Sequence, residues 1–105
     1  MKIFSHGTAS PPGGPYHEFL RVASISAGMY ELPAGSVDGQ SPHKEDEIYV
    51  VLAGRSLFTA GEESREVRRG DTIFVPAGMP HRFHDILEEL RLVVVFAPPE
   101  GSQRP

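Results

Sequence analysis

The chain of 105 residues contains no cysteine, and its basic residues form no cluster larger than Arg68 and Arg69. Without cysteine there is no disulfide framework and no thiolate ligand, so any metal must be held by His, Asp or Glu. The longest apolar run, residues 92–97, is far too short to cross a bilayer. Together with a formal charge of -4, these absences predict no nucleic-acid partner and no membrane partner. We expect a cytoplasmic protein.

The residues that are present suit one small globular unit. Hydrophobic residues make up 39% of the chain and include six Phe and three Tyr, enough for a core but far too many for a disordered segment. A chain of this length has room for a single domain. We therefore assign residues 1–105 to one domain.

Short apolar segments alternate with glycine and proline turns along the chain. Residues 18–32 predict one bent strand or two short strands, and residues 47–52 and 56–59 predict a hairpin around Gly54. Further strands are expected at 65–69, 72–75, 81–85 and 90–96, with a possible helical turn at 86–90. The pattern predicts an all-β antiparallel fold. The Pro- and Gly-rich stretch at 10–15 sets an N-terminal arm (1–15) apart from a barrel (16–97), and residues 98–105 form a tail.

Two segments repeat a pair of known sequence signatures. The first, G-x5-H-x-H-x3-E-x6-G, is met at Gly35, His43, Glu47 and Gly54, with Ser41 where its first histidine belongs. The second, G-x5-P-x-G-x2-H-x3-N, is met at Gly70, Pro76, Gly78 and His81, with Asp85 where its asparagine belongs. Eight of the ten fixed positions match. The chain thus resembles a small single-domain cupin, which implies a double-stranded β-helix, or jelly-roll barrel, with a metal inside one mouth.

The resemblance implies that His43, Glu47 and His81 hold a divalent metal ion. Fe(II) is favoured, because two imidazoles and a carboxylate resemble the facial triad of non-haem iron oxygenases, and Mn, Zn or Ni are alternatives. Ser41 is a poor neutral ligand, so either water or Glu45 would take the fourth position. An empty polar pocket is the competing interpretation of the same residues.

Alternation along a strand adds the surroundings of this site. Residues two apart share a face, so Tyr49 should point inward with Glu47, and Phe83 should do so beside His81. We expect Tyr49 and Phe83 to form pocket wall, with an ordinary core role as the alternative. The same alternation turns His84 outward.

Three functions are compatible with such a site. The first is an Fe(II)-dependent oxidoreductase, similar to a dioxygenase, that acts on a small molecule. The second is a module that binds or senses a small ligand without catalysis, which the small size and the missing first histidine favour. The third is a metal-assisted sugar isomerase with Glu45 as its base.

We also expect a homodimer. A barrel of this size exposes strand edges and apolar surface, which a second copy would cover. The outward face at Ile48, Val50 and Leu52 is the predicted interface or outer core, and the N-terminal arm could add a strand to its own sheet or to that of the partner.

Overall fold

A computed structural model describes residues 1–7, 15–39 and 42–102, and six strands account for most of them. The all-β class expected from the sequence is confirmed. No helix long and apolar enough to cross a membrane occurs in these three ranges. The strands are β1 (Tyr16–Arg21), β2 (Ser26–Leu32), β3 (Asp46–Ala60), β4 (Glu63–Arg68), β5 (Thr72–Val75) and β6 (His81–Ala97).

All strand pairs are antiparallel, in the order β1-β2-β6-β3-β4, with β5 also paired to β3. The long strands β3 and β6 pair along almost their whole length, from Asp46 opposite Ala97 to Ala60 opposite His81. The first half of β3 lies between β6 and β5, and its second half lies between β6 and β4. Consequently β3 and β6 run through both halves of the barrel, of which one contains β5 and the other contains β4.

The predicted hairpin around Gly54 is wrong, because β3 runs without interruption from Asp46 to Ala60. The register of β3 against β6 shifts three times between Val51 and Leu57, so this region is a series of bulges that bends the strand. Gly54 has φ of 98°, and a Cβ there would collide with the backbone of Glu89. The glycine therefore marks a close approach of two strands inside a bend, not a chain reversal.

The predicted helical turn at 86–90 is also wrong, because these residues belong to β6. Ile86 and Leu90 are buried, while the three residues between them are exposed. A separation of four residues places two side chains on the same face of a strand as well as on one side of a helix. The apolar spacing alone could not separate the two structures.

The core lies between the two halves, on the inward faces of the strands. Tyr49 and Val51 of β3 point inward and are almost fully buried, whereas Ile48 and Leu52 are exposed. Phe58, Phe83, Leu90, Leu92, Val94 and Phe96 extend the same apolar cluster. The inward face of β3 also carries Glu47, so a carboxylate is almost fully buried beside the apolar core.

Candidate functional site

Glu47 enters the interior because of its place in the alternation of β3. Its side chain is 1% exposed, as is that of His81 at the first position of β6. His81 Nε2 lies 2.8 Å from Glu47 Oε1. Glu47 and His81 belong to different motifs and lie 34 positions apart in sequence, yet their side chains meet inside the fold.

The turn before β6 fixes the tautomer of His81. Nδ1 lies 2.8 Å from the carbonyl oxygen of Met79, and a carbonyl oxygen only accepts hydrogen bonds, so Nδ1 carries the proton and donates it. Nε2 therefore faces Glu47 Oε1 and the hydroxyl of Tyr49, which is 3.0 Å away. Histidine ligands of metal ions are commonly oriented in this way by a backbone carbonyl on their second nitrogen.

The Glu47 carboxylate lacks the donors that a buried charge requires. Neither of its oxygens receives a well-aligned hydrogen bond from the residues in the described ranges, although both are buried. Its short contact with His81 is therefore an ion-pair contact, not a well-directed hydrogen bond. A buried carboxylate in this state needs a cation or a proton nearby.

The protonation of His81 reflects this neighbour. Burial lowers the pKa of His81, but the nearby Glu47 carboxylate and the Met79 carbonyl raise it by more, so the pKa lies above its ordinary value. Without a metal, the ring is thus biased toward the imidazolium form opposite the carboxylate.

His43 reaches the same end of the barrel from the loop before β3. Its ring centroid is 6.2 Å from that of His81 and 4.9 Å from that of Phe96. Its backbone carbonyl accepts a hydrogen bond from the N–H of Gly78 at 2.7 Å, which ties the first motif to the second. Even so, no three His, Asp or Glu side chains within the described ranges cluster closely enough to enclose an ion. The donor types suit a divalent metal, but only Glu47 and His81 are in contact.

The other predicted site residues lie around this pair. Tyr49 is fully buried against His81, and Phe83 packs behind Tyr49 with ring centroids 5.1 Å apart. Glu45 is buried, and its Oε1 accepts a hydrogen bond from the N–H of Gly101 at 3.2 Å. Ser41 lies outside the described residues.

A cavity of about 160 Å³ lies next to the pair. His43 and Tyr49 line it, together with five residues that the sequence did not single out: Tyr16, Tyr30, Val94, Phe96 and Glu100. Tyr16 stands opposite Tyr30 across β1 and β2. Its ring covers Gly28, where any side chain would collide with it. A tyrosine paired with another tyrosine and facing a glycine could have indicated this wall, but only if the strand register had been known.

Glu100 reaches the cavity because residues 98–102 pack against the barrel. The backbone N–H of Glu100 donates to Ser26 Oγ at 2.8 Å, and its carbonyl accepts from Arg21 Nη2 at 2.9 Å. With the bond from Gly101 to Glu45, three hydrogen bonds hold this segment. The Pro-rich composition gave no signal of the docking.

Comparison with known proteins agrees with the two motifs. The family model described as "Cupin domain" matches residues 28–96. The uncharacterized protein SCO3923 of Streptomyces coelicolor is 51% identical over 88 residues, which cover 84% of each chain. Dimethylsulfoniopropionate lyase DddQ of Ruegeria pomeroyi is 36% identical over 66% of this chain and 33% of its own length.

Two further similarities extend the comparison. Acireductone dioxygenase 1 of Physcomitrium patens is 31% identical over 78% of this chain and 47% of its own length. The structure of an RmlC-like cupin from Methanocaldococcus jannaschii, described as a double-stranded β-helix, superposes with a TM-score of 0.73 over 92% of this chain and 94% of its own, at 15% identity. The jelly-roll fold expected from the sequence is thereby confirmed.

Proposed function

Because the chain belongs to the cupin domain family, we propose that it binds a small molecule beside a divalent metal ion held by His43, Glu47 and His81. The observation that carries this proposal is the pairing of a tautomer-fixed imidazole with a buried carboxylate that lacks hydrogen-bond donors. A metal ion would supply the positive charge that this carboxylate needs, and it would act as a Lewis acid or redox centre for the ligand.

Each side chain has a separate task in this arrangement. The Met79 carbonyl holds the His81 proton on Nδ1 and so keeps a lone pair on Nε2. Tyr49 places a hydroxyl 3.0 Å from that nitrogen and also lines the cavity, so it can hold a proton between the pair and a bound molecule. Phe83 packs against Tyr49 and Phe96 packs against His43, so that apolar rings flank the site.

An Fe(II)-dependent oxidoreductase is the finer form of this proposal, with Mn, Zn or Ni as the other candidate metals. The similarity to acireductone dioxygenase supports it. The similarity to a lyase of another substrate class shows that the shared motifs do not dictate one reaction.

A ligand-binding module without a metal is the second candidate. The direct 2.8 Å contact between Glu47 and His81 favours it, since an imidazolium and a carboxylate neutralise each other without an ion. A sugar isomerase with Glu45 as base has less support, because one Glu45 oxygen is engaged by Gly101.

Metal analysis of protein purified without chelator or nickel resin distinguishes these candidates. Stoichiometric iron supports the oxidoreductase, stoichiometric manganese, zinc or nickel supports the metal site with other chemistry, and no metal at all contradicts the proposal. His81→Ala should abolish metal binding, and unchanged metal content in that variant would exclude His81. Conversely, Ser41→His supplies the imidazole that the first motif lacks and should tighten metal binding.

A further inference from the structure

The aromatic cavity beside the Glu47–His81 pair has the composition of a cation site. Tyr16, Tyr30, Tyr49 and Phe96 supply four aromatic rings, Glu100 is the acidic lining residue, and His43 and Val94 complete the lining. Neither Lys nor Arg occurs among the described residues that line it. From this composition we infer that the cavity binds a small organic cation, of the class of methylated ammonium ions. The inference deepens the proposed function by naming a ligand class, and it rests on the cavity and not on the metal.

The arrangement of the rings supports this inference. The Tyr16 ring centroid lies 6.3 Å from that of Tyr30 and 6.4 Å from that of Phe96, with interplanar angles of 68° and 81°. Both pairs are edge-to-face contacts, and all three rings line the same cavity. A cation that rests in this cavity on the face of one of these rings would lie inside the roughly 6 Å range of cation–π attraction.

The size of the cavity limits the ligand. Its volume is about 160 Å³, and an apolar cavity of roughly 150 Å³ is known to hold benzene. A trimethylammonium group fits such a space. A sugar fits poorly, because the Tyr30 hydroxyl is already bonded to Asp38 at 2.6 Å and the Tyr49 hydroxyl to His81 at 3.0 Å. Tyr16, His43 and Glu100 are then the remaining polar residues of the lining, fewer than a polyol requires.

The electrostatic environment has the required sign. The pKa of Tyr16 is raised by burial first, and then by the negative charges of Glu18, Glu100 and Glu47, while Arg21 lowers it by a smaller amount. The Tyr30 pKa is raised by burial and by Asp38, with a further contribution from Glu47. The burial that dominates both shifts disfavours a charge of either sign, whereas the carboxylates that add to it favour a cation.

Glu100 accounts for the preference for a cation, and its backbone is held in place by hydrogen bonds. Its backbone is held on both sides, by Ser26 and by Arg21. The segment after β6 therefore holds the backbone of Glu100 beside a cavity whose remaining walls are mainly aromatic. This accounts for a charge selectivity that the aromatic rings alone would provide more weakly.

Choline and its uncharged carbon isostere 3,3-dimethylbutan-1-ol test the inference directly, by calorimetric titration into chelator-treated and metal-loaded protein. Choline should bind about tenfold or more tightly than the alcohol, and its methyl proton resonances should move upfield because of the surrounding rings. Equal or tighter binding of the alcohol would show a merely apolar cavity and overturn the inference. Failure of both molecules to bind would overturn it as well.

Matched variants assign the selectivity to residues. Glu100→Gln should weaken choline binding about three- to fivefold and leave binding of the alcohol unchanged. Glu62→Gln, in the exposed turn before β4, changes the net charge equally and should affect neither. Tyr16→Leu should weaken choline more than the alcohol. If Tyr16→Leu does not fold, the Glu100 and Glu62 pair still decides, and equal effects of those two variants would refute the role of Glu100.

Metal content is measured on the same samples, so that the two proposals fail separately. Choline binding by protein that takes up no metal when metal is supplied would contradict the metal site and support the cation site. Bound metal without choline binding would do the reverse.

Discussion

His81 Nε2 and Glu47 Oε1 lie 2.8 Å apart in a nearly dry interior, at the point where the two sequence motifs meet. Because Nδ1 of His81 is committed to the Met79 carbonyl, the Nε2 atom of a neutral ring can only accept a hydrogen bond. A carboxylate cannot donate one, but an amide can. The contact therefore suits a metal or a protonated ring, and the two cases respond differently to an isosteric change at residue 47.

Glu47→Gln should separate the stability of the site from its affinity for metal. In chelator-treated protein, the new amide can donate to His81, so we expect the free energy of unfolding to stay within about 1 kcal/mol of that of the parent protein. Glu47→Ala leaves the ring without this partner and should cost about 1–3 kcal/mol. Urea unfolding of both variants measures the difference. Metal affinity should fall at least about tenfold in both, and equal losses of stability would contradict the assigned tautomer.

Two tyrosines on the cavity wall, Tyr49 fully buried and Tyr16 partly buried, should respond differently to loss of their hydroxyl groups. The Tyr49 hydroxyl is bonded to His81, so Tyr49→Phe should lower the free energy of unfolding by about 1 kcal/mol. The Tyr16 hydroxyl is buried and has no hydrogen-bond partner within the described ranges, so Tyr16→Phe should be neutral or stabilising. Urea unfolding at pH 7 compares them. A larger loss for Tyr16→Phe than for Tyr49→Phe would show that Tyr16 has a partner.

Stability should decline at alkaline pH because of Tyr30. Burial and the hydrogen bond to Asp38 raise its pKa well above the ordinary value of 10.0. In the unfolded chain Tyr30 loses its proton near pH 10, while the folded protein still retains it. The unfolded state then binds fewer protons, so this contribution to stability is complete below pH 10 and is lost as pH rises above it. Unfolding free energies from pH 8 to 11 should fall less steeply for Tyr30→Phe than for the parent protein, and identical slopes would contradict the assignment.

The sequence pattern predicted the straight ends of β3 and β6, but it did not predict the bends in the middle of these strands. The motif resemblance predicts that Glu47 faces the site, period-two alternation puts Tyr49 on the same face, and both are buried. The bulges near Gly54 and the strand at 86–90 were missed, because a glycine and an even apolar spacing are compatible with a turn or a helix as well as with a bent strand. Only pairing with the partner strand decides between them.

The site shows the same division. The two motifs predicted His43, Glu47 and His81 as site residues, because each motif is a contiguous segment of the sequence. They could not indicate Tyr16 or Glu100, which reach the cavity through the pairing of β1 with β2 and through the docking of residues 98–102. Such contacts depend on the assembled barrel and leave no local signature.

Gly54 and Gly70 offer a matched test of the bend. Their φ angles are 98° and 97°, but a Cβ at Gly54 would lie 2.7 Å from the carbonyl carbon of Glu89, while a Cβ at Gly70 would meet nothing within 4 Å. Gly70→Ala should therefore cost only the backbone strain, about 1–2 kcal/mol. Gly54→Ala adds a collision between strands and should cost about 3 kcal/mol or more. Urea unfolding measures both, and similar costs would mean that β3 and β6 move apart easily at this bend.

The exposed apolar face of the first half of β3 should form a homodimer interface. Ile48 is 39% exposed and is paired directly with Phe74 of β5, which is 61% exposed, and Leu52 continues the same face at 38%. The N-terminal arm does not contribute Phe4 or His6 to this face, because both side chains pack against Phe19 of β1 in the same chain. We therefore expect that deletion of residues 1–7 leaves the dimer intact.

Charge placed on that face should separate the subunits. Ile48→Lys should yield the 11.5 kDa monomer in sedimentation velocity at micromolar concentration, because an unpaired charge at the centre of an apolar contact costs several kcal/mol of association free energy, on the order of what a small interface supplies. Leu87→Lys is the control, since Leu87 is 62% exposed in the bent middle of β6 and away from the Ile48 face, and this variant should remain dimeric. A monomer in the parent protein at the same concentration would contradict the prediction outright. Dissociation caused by Leu87→Lys but not by Ile48→Lys would place the interface on the bend instead.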